Sequence, residues 1–499
     1  MKAFLMYKDR DFDFQKELPP NEQALTQDLE LNTLFNAMAL NDKFLLEVAT
    51  KTVLSGLSND QETILYRQSI LKDCLKNSSI VRDIYDIATE SMENKKKRWY
   101  SFSSKYPSSI LYNARGILHL SVGFLKKLKN VSNEHADKFE SAGFKTFFAM
   151  LNKELDDDFF VTVQNHLMEL KFPDGVLISA ELGKGNEGSD YILRKEKRKK
   201  QNWLQRIFSK KPPAYTFSIS ERDEGGARAL SELKDRGINL VADALAQSAD
   251  HIDSFFKMLQ IELAFYIGCL NLRVQLDQTG EPISFPLPQS PGERRHSFKG
   301  LYDVCLALTM KQKIVGNEVN ADNKDLMIIT GANQGGKSTF LRSIGLAQLM
   351  MQCGMFVPAE SFCANTCDGL FTHYKREEDA TMTSGKLDEE LSRMSDIVDN
   401  LTANSMLLLN ESFAATNERE SSEIAKQIIS ALLEKRIKII FVTHGYEFAH
   451  GFYEIKKENA IFLRAERQTD GGRTFKILEG EPLQTSYGED LYKTIFGNT

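Results

Sequence analysis

The chain has 499 residues, 42% of them hydrophobic and 26% charged, and carries a formal net charge of -6. That length and apolar content allow more than one core, so two to four domains are expected, while the acidic balance excludes a global basic field and leaves any nucleic-acid-binding surface to be local. Six scattered cysteines (Cys74, Cys269, Cys305, Cys353, Cys363 and Cys367) fit reduced core thiols better than a disulfide framework. Cys363 and Cys367 lack the second ligand pair a zinc site would need. The segment Met1 to Asp9 reaches charge too soon for a signal peptide, and no apolar run approaches the ~20 residues of a membrane span, so a cytoplasmic protein without a membrane contact is expected.

Residues from about 20 to 135 read as helix upon helix. Asn59-Asp60-Gln61-Glu62 resembles a capping box, and Ile64, Leu71, Cys74 and Leu75 fall on one helical face. Asp156-Asp157-Asp158 suits a solvated helix start better than a metal site, because adjacent carboxylates on a helix point in different directions. From Phe172 the pattern changes to a small β insertion: strands at Val176-Leu177-Ile178 and Tyr191-Ile192-Leu193, then a third at Tyr215 to Ser220 with period-two alternation. Between them lies a basic stretch over 194–211, Arg194 to Lys200 followed by Trp203, Ile207, Phe208, Lys210 and Lys211. It suits binding to phosphates or a solvated loop, with contact to an anionic membrane as a third alternative. A long helix follows, with Ile252, Phe255, Phe256, Leu259, Leu263, Tyr266, Ile267 and Leu270 forming one apolar face. The Pro-rich stretch around Pro282, Pro286, Pro288 and Pro291 marks a boundary. The expected domains are a helical core over 1–170, a β insertion over 171–225, lever helices over 226–281 and an α/β domain over 282–499.

The densest signal lies in that last domain. An apolar run, Leu326 to Thr330, enters Gly331-Ala332-Asn333-Gln334-Gly335-Gly336-Lys337-Ser338-Thr339, and an apolar-periodic helix follows. Gly331-x4-Gly336-Lys337-Ser338 is the P-loop spacing in its required context of strand before and helix after. Glycines let successive N–H groups turn around a phosphate at a helix N-terminus, Lys337 bridges the β- and γ-phosphates, and the Ser338 hydroxyl suits Mg²⁺. The candidate nucleotide-binding residues are Gly331, Asn333, Gly335, Gly336, Lys337, Ser338 and Thr339. A second apolar strand, Met406 to Leu409, ends in Asn410-Glu411, the position where a P-loop ATPase holds Mg²⁺ and polarises the attacking water; Asn410 stands there as an uncharged metal-side group and Glu411 as the candidate base. A third, Ile439 to Thr443, ends at His444, placed to reach the γ-phosphate or the lytic water. Between the glycine-rich loop and the second strand, Thr381-Met382-Thr383-Ser384-Gly385-Lys386 opens a helix whose small hydroxylated start suits a second subunit's phosphate.

These residues resemble the MutS family of ATPases. The likeness runs from Gly331 to Arg342 and Gly354-Met355-Phe356-Val357-Pro358-Ala359, through Leu407-Leu408-Leu409-Asn410-Glu411 and Phe441-Val442-Thr443-His444, to Ser486-Tyr487-Gly488. Upstream, Val315-Gly316-Asn317 is similar to the strand that lies against adenine, with Ile314 where the family often places an aromatic. Residues 28–77, including Arg67-Gln68, and the helix over 250–275 resemble the family's core and lever helices. The resemblance implies an α/β P-loop domain of the ABC class behind a mostly helical region, ATP and Mg²⁺ as cofactors, a homodimer sandwiching each nucleotide with Ser384 or Gly385 completing the partner's site, and levers clamping DNA. It also implies a short form: the family's N-terminal mismatch-reading and connector domains have no room, and the Phe-x-Glu at Phe452-Tyr453-Glu454 lies after His444. Ala332 replaces the usual proline and Asn410 the usual aspartate. Two alternatives to a DNA-coupled ATPase stay open: a nucleotide-gated scaffold with little turnover, motivated by Asn410, and an ATPase acting on structured RNA or a ribosome.

Overall fold

The computed structural model describes residues 1–99, 106–173, 175–195, 216–376, 385–455, 458–468 and 472–484. In chain order these form helices α1 (Glu22–Asp28), α2 (Leu31–Ala39), α3 (Lys43–Ser55), α4 (Gln61–Lys76), α5 (Ser78–Trp99), α6 (Pro107–His135), α7 (Ala142–Glu154) and α8 (Asp157–Glu169), then strands β1 (Leu177–Leu182) and β2 (Gly188–Arg194) and the long helix α9 (Glu224–Thr279). The remainder alternates: β3 (Leu287–Gln289), β4 (His296–Leu301), α10 (Val304–Met310), β5 (Asn317–Asn320), β6 (Leu326–Gly331), α11 (Lys337–Gln352), β7 (Ser361–Asn365), β8 (Leu370–Tyr374), α12 (Lys386–Asn400), β9 (Met406–Asn410), α13 (Glu418–Glu434), β10 (Lys438–Val442), α14 (Tyr446–Glu454), β11 (Ala460–Arg467) and β12 (Arg473–Glu479). Local chemistry sets several starts. Asp60 caps α4 by accepting from the Thr63 amide at 2.8 Å, and Asp156 caps α8 by accepting from Phe159 at 2.7 Å.

Two compact units emerge, and both are discontinuous in sequence. One holds residues 1–3, 83–137 and 147–260; the other holds 4–82, 138–146 and 261–499. The block expected over 1–170 is therefore divided between them. In the second unit the early helices join the α/β part through bonds of long sequence separation, which no local pattern encodes. Asn59 Nδ2 donates to the Gln352 carbonyl at 2.9 Å, Gln68 Nε2 to Pro286 at 3.1 Å, and the fully buried Arg67 Nη1 to Cys353 at 3.4 Å.

In the first unit, β1 and β2 form an antiparallel pair, and Ile238 and Ala242 of α9 build a small core with Leu111. The expected third strand is corrected here: residues 216–220 form no strand, because alternation makes one only where a neighbouring strand pairs with it and none does among the described residues; Phe217 is 84% exposed. Helix α9 is a single 56-residue helix, longer than its periodic stretch. It also holds an 18-residue window apolar enough to cross a membrane, against the expectation, since its core-facing residues are apolar on more than one side; 83% of that window is buried. Leu263, Tyr266, Ile267 and Leu270 are all buried, as the periodicity requires.

Within the second unit, β12-β11-β6-β10-β9-β8 form a six-stranded sheet, parallel except for β12, beside a four-stranded sheet of order β3-β7-β4-β5. Both faces of the large sheet are covered, so β6, β9 and β10 read as continuous apolar runs instead of alternating ones.

Glu262 of α9 holds the segment before α1. It is fully buried and accepts from the Leu5 amide at 2.6 Å and the Phe12 amide at 3.0 Å. Burial raises its carboxyl to about 7, against the two amides that favour the charged form. A raised folded-state value means that the stability this group contributes is complete below the ordinary carboxylate range and is lost as pH rises through about 7. Glu262→Gln cannot titrate, so the fall in the urea midpoint between pH 5 and pH 8 is expected to be shallower in the variant than in the native chain; an equal fall would assign the pH dependence to other groups.

Candidate functional site

The parallel register gathers the three motif-bearing strands at one edge. Ile329 of β6 pairs with Val442 of β10, which pairs with Asn410 of β9, so the loop after β6, the Asn410-Glu411 turn and Thr443-His444 leave the sheet side by side. Carboxyl ends of parallel strands are where open α/β sheets bind ligands. The cleft there measures about 520 Å³ and is lined by Ile314, Asn317, Asn333, Gly335, Gly336, Lys337, Ser338, Thr339, Glu411 and His444, together with Tyr302, Met310 and Phe475.

The loop from Gly331 to Gly336 is tightly built. Gly336 sits at φ +88, a backbone conformation unfavourable for residues with a Cβ, and a Cβ on Gly335 would come within 2.7 Å of the Ala465 Cβ. Lys337, 5% exposed, begins α11 and folds back so that its Nζ donates to the carbonyls of Gly331 at 3.1 Å and Ala332 at 2.9 Å. Burial lowers its ammonium to about 8, and the negative charge of Glu411 opposes that shift. The next residue, Ser338, donates its hydroxyl to Asn410 Oδ1 at 3.0 Å. Two oxygen donors, one from α11 and one from β9, therefore meet where the glycine-rich loop borders the cleft, which suits an oxygen-preferring cation such as Mg²⁺.

Glu411 occupies a left-handed turn at φ +54, followed by Ser412 and by Phe413 at φ +65. Its Oε1 lies 2.8 Å from His444 Nε2, and this bond, chiefly, holds the Glu411 carboxyl below its ordinary range, with burial opposing. An ionised carboxylate accepts, so the His444 Nε2 carries the proton. Glu411 is thus a charged acceptor in a cleft that also holds an ammonium.

The structure brings the sequence-selected residues Ile314, Asn317, Asn333, Gly335, Gly336, Lys337, Ser338, Thr339, Glu411 and His444 into one cleft, with Gly331 and Asn410 bonded to its lining residues. Asn317 is anchored rather than free: its Oδ1 accepts from the Ile477 amide at 2.8 Å, tying β5 to β12. Ser384, the basic residues 196–211 and Ser486-Tyr487-Gly488 lie outside the described residues; Gly385 precedes α12 directly. Of the basic stretch, Lys195 pairs with Glu169 at 2.7 Å. Sequence reading missed Phe475, which lines the cleft and would stand 3.6 Å from a Cβ on Gly336, and Arg473, whose Nε donates to the Asn333 carbonyl at 3.2 Å. Both come from β12 at the sheet edge, where no spacing rule links them to the loop more than a hundred residues earlier. Cys367, thought a weak zinc prospect, donates to Gln352 Oε1 at 3.0 Å.

A mixed α/β domain following a helical region, with a polar cleft on the carboxyl edge of its parallel sheet, is the class that fold and site define. Two family models match it: MutS2 N-terminal domain over residues 59–279 and MutS domain V over residues 327–496. The chain belongs to the MutS family. Among curated relatives it is similar to the DNA mismatch repair protein MutS of Alkaliphilus metalliredigens, 36% identical over 206 residues that make up 38% of this chain and 23% of the relative. It is also similar to the DNA mismatch repair protein MutS of Oceanobacillus iheyensis, at 26% over 55% of this chain and 32% of the relative, and to human MutS protein homolog 4, at 24% over 56% and 30%. The matches therefore span less than a third of each of these relatives.

Proposed function

We propose that the cleft binds Mg-ATP and hydrolyses it, and that two copies of the chain close on their nucleotides in the ABC manner to open or close helical levers around DNA. The observation that carries this reading is the convergence, on one sheet edge, of Lys337, the Ser338–Asn410 pair and the Glu411–His444 pair. The loop amides and Lys337 bind the phosphates. Ser338 and Asn410 would hold Mg²⁺, and a bound Mg²⁺ would supply neutralisation of charge on the phosphate oxygens. Glu411, ionised at neutral pH, accepts a proton from the attacking water, and His444 orients it and reads the γ-phosphate. Ile314 and Phe475 offer apolar surface to the base. Helix α9 contributes residues to both compact units, which supports its reading as a lever. DNA is the nucleic acid of choice because the relatives include proteins named for DNA mismatch repair.

Asn410 favours a second reading. An amide lacks the charge of an acid at a metal, so slow turnover with tight nucleotide binding would make the chain a nucleotide-gated scaffold. The two separate under steady-state ATP hydrolysis at one fixed salt, with no nucleic acid and then with matched, mismatched and four-way-branched DNA and structured RNA. Stimulation or suppression by a DNA form is the expected result. Response to RNA alone moves the partner to RNA or a ribosome, and binding without turnover supports the scaffold.

The basic stretch yields a separate prediction. Neutralising Lys197, Arg198, Lys199 and Lys200 is expected to flatten the dependence of log affinity on log salt by about one for each phosphate that the cations would otherwise neutralise. An unaltered slope assigns those residues to a solvated loop.

A further inference from the structure

The turn that carries Glu411 is conformationally demanding. Glu411 and Phe413, two residues with side chains, both hold positive φ within three positions, at +54 and +65. Such a turn persists only where its surroundings over-determine it. On the sheet side it is held by backbone bonds: the Glu411 amide donates to Val442 at 2.8 Å, and the Lys375 amide donates to Asn410 at 3.0 Å. On the other side the holding group is a side chain that the proposed hydrolysis does not use. His373, the fourth residue of β8, is fully buried, with Nδ1 2.8 Å from Ser412 Oγ, Nε2 3.0 Å from the Glu390 carbonyl, and its ring stacked on Phe413 at 5.5 Å and 21°. The Ser412 hydroxyl also lies 2.7 Å from the His373 carbonyl.

The proton positions follow from what each partner can do. A carbonyl only accepts, so Nε2 carries the proton and donates to Glu390. Burial, reinforced by the nearby Arg393 and Arg376, lowers the imidazole to about 4, which leaves Nδ1 with a lone pair at neutral pH. Ser412 has one hydroxyl proton, and Nδ1 shares it with the His373 carbonyl. The ring is a rigid two-ended strut: one end holds the middle of the Glu411 turn, and the other holds the first turns of α12. Glu390 itself is buried, and its side-chain carboxyl lies beside the Phe413 amide of the same turn, so α12 meets the turn at two points, the His373 ring and this carboxyl.

We propose that His373 is a positioning residue, which fixes Glu411 through Ser412 and couples the start of helix α12 to the turn that presents the catalytic base. The role of Glu411 in hydrolysis rests on the proposed ATPase function; the mechanical link does not. Because α12 begins directly after Gly385, a displacement of that helix start reaches the Glu411 turn through the His373 ring and through the Glu390 carboxyl beside the Phe413 amide.

The test combines three variants with two readouts. His373→Phe keeps the ring stack and removes both polar ends, Ser412→Ala removes the shared bond from the other side, and His373→Asn retains an acceptor near the Nδ1 position. With Mg-ATP, His373→Phe and Ser412→Ala are each expected to lower kcat about 10- to 100-fold with KM within about 3-fold, the double variant to lose no more than the worse single one, and His373→Asn to recover part of the loss. In ¹⁵N spectra of imidazole-labelled protein, His373 is expected as the neutral Nε2–H tautomer, and the His444 Nε2 resonance, which reports its bond to Glu411, is expected to move in Ser412→Ala. Additive losses, or kcat within about 2-fold of the native chain in both single variants, would overturn the proposal. If the native chain shows no turnover, the hydrolysis reading fails, and the spectra decide alone: a His444 resonance that moves sustains the strut, and one that stays refutes it.

Discussion

Lys337→Ala is expected to raise the Kd for Mg-ATP at least ~100-fold while leaving the fold intact. The side chain is 5% exposed, and its Nζ is held 3.1 and 2.9 Å from two carbonyls of the loop it closes. Lysine in this position supplies the one ammonium that the loop itself wraps around. Alanine removes that charge without altering the backbone that turns at Gly336. Burial lowers the ammonium to about 8, so in the free protein it sheds its proton within reach of ordinary buffers. A phosphate favours the charged form, so binding takes up a proton above about pH 8, and affinity is expected to decline as pH rises past that point. Calorimetric titration of both proteins at pH 7 and pH 9 reads both effects. A variant that binds Mg-ATP with native affinity would remove the loop from the nucleotide site.

Glu411→Gln separates binding from chemistry. The substitution preserves shape and an acceptor for His444 Nε2, 2.8 Å away, and removes the charge that makes the side chain a proton acceptor. Turnover is expected to fall about 10²- to 10⁴-fold with Mg-ATP affinity within about 3-fold. If hydrolysis resets a closed dimer, the variant accumulates that dimer on DNA with ATP bound. Size-exclusion chromatography with light scattering, with and without DNA, measures it. Native turnover in the variant would move the base elsewhere, and unchanged dimer and DNA affinity would count against the coupling of closure to DNA.

The parts of the site that were legible in sequence are those set by local rules. The loop from Gly331 to Ser338 combines a glycine whose φ is positive with a lysine and a hydroxyl at fixed spacing, and a buried parallel strand announces itself as an unbroken apolar run, as at Leu326–Thr330 and Ile439–Val442. Because such strands end at one edge, Glu411 and His444 could be placed near the loop before any coordinate was known. What sequence did not disclose is set by tertiary pairing. Phe475 and Arg473 reach the cleft from an edge strand whose register with Asn317 depends on a side chain accepting from the Ile477 amide. His373 looks like one more residue of a buried strand. The expected helical block over 1–170 is divided because Arg67, Gln68 and Asn59 bond to carbonyls far along the chain, and helical periodicity describes a face without naming what covers it. Of the strand expected at Tyr215–Ser220, residues 216–220 form none for the same reason: alternation describes a surface, and a strand needs a neighbour.

Release of inorganic phosphate from saturating Mg-ATP by the purified native chain, followed over many equivalents of protein, tests the central claim most directly. Sustained release that stops when Mg²⁺ is chelated is the result predicted by a cleft in which Ser338 and Asn410 hold the metal and Glu411 accepts the proton. Nucleotide bound with no phosphate released beyond a single equivalent, with or without DNA, would contradict it.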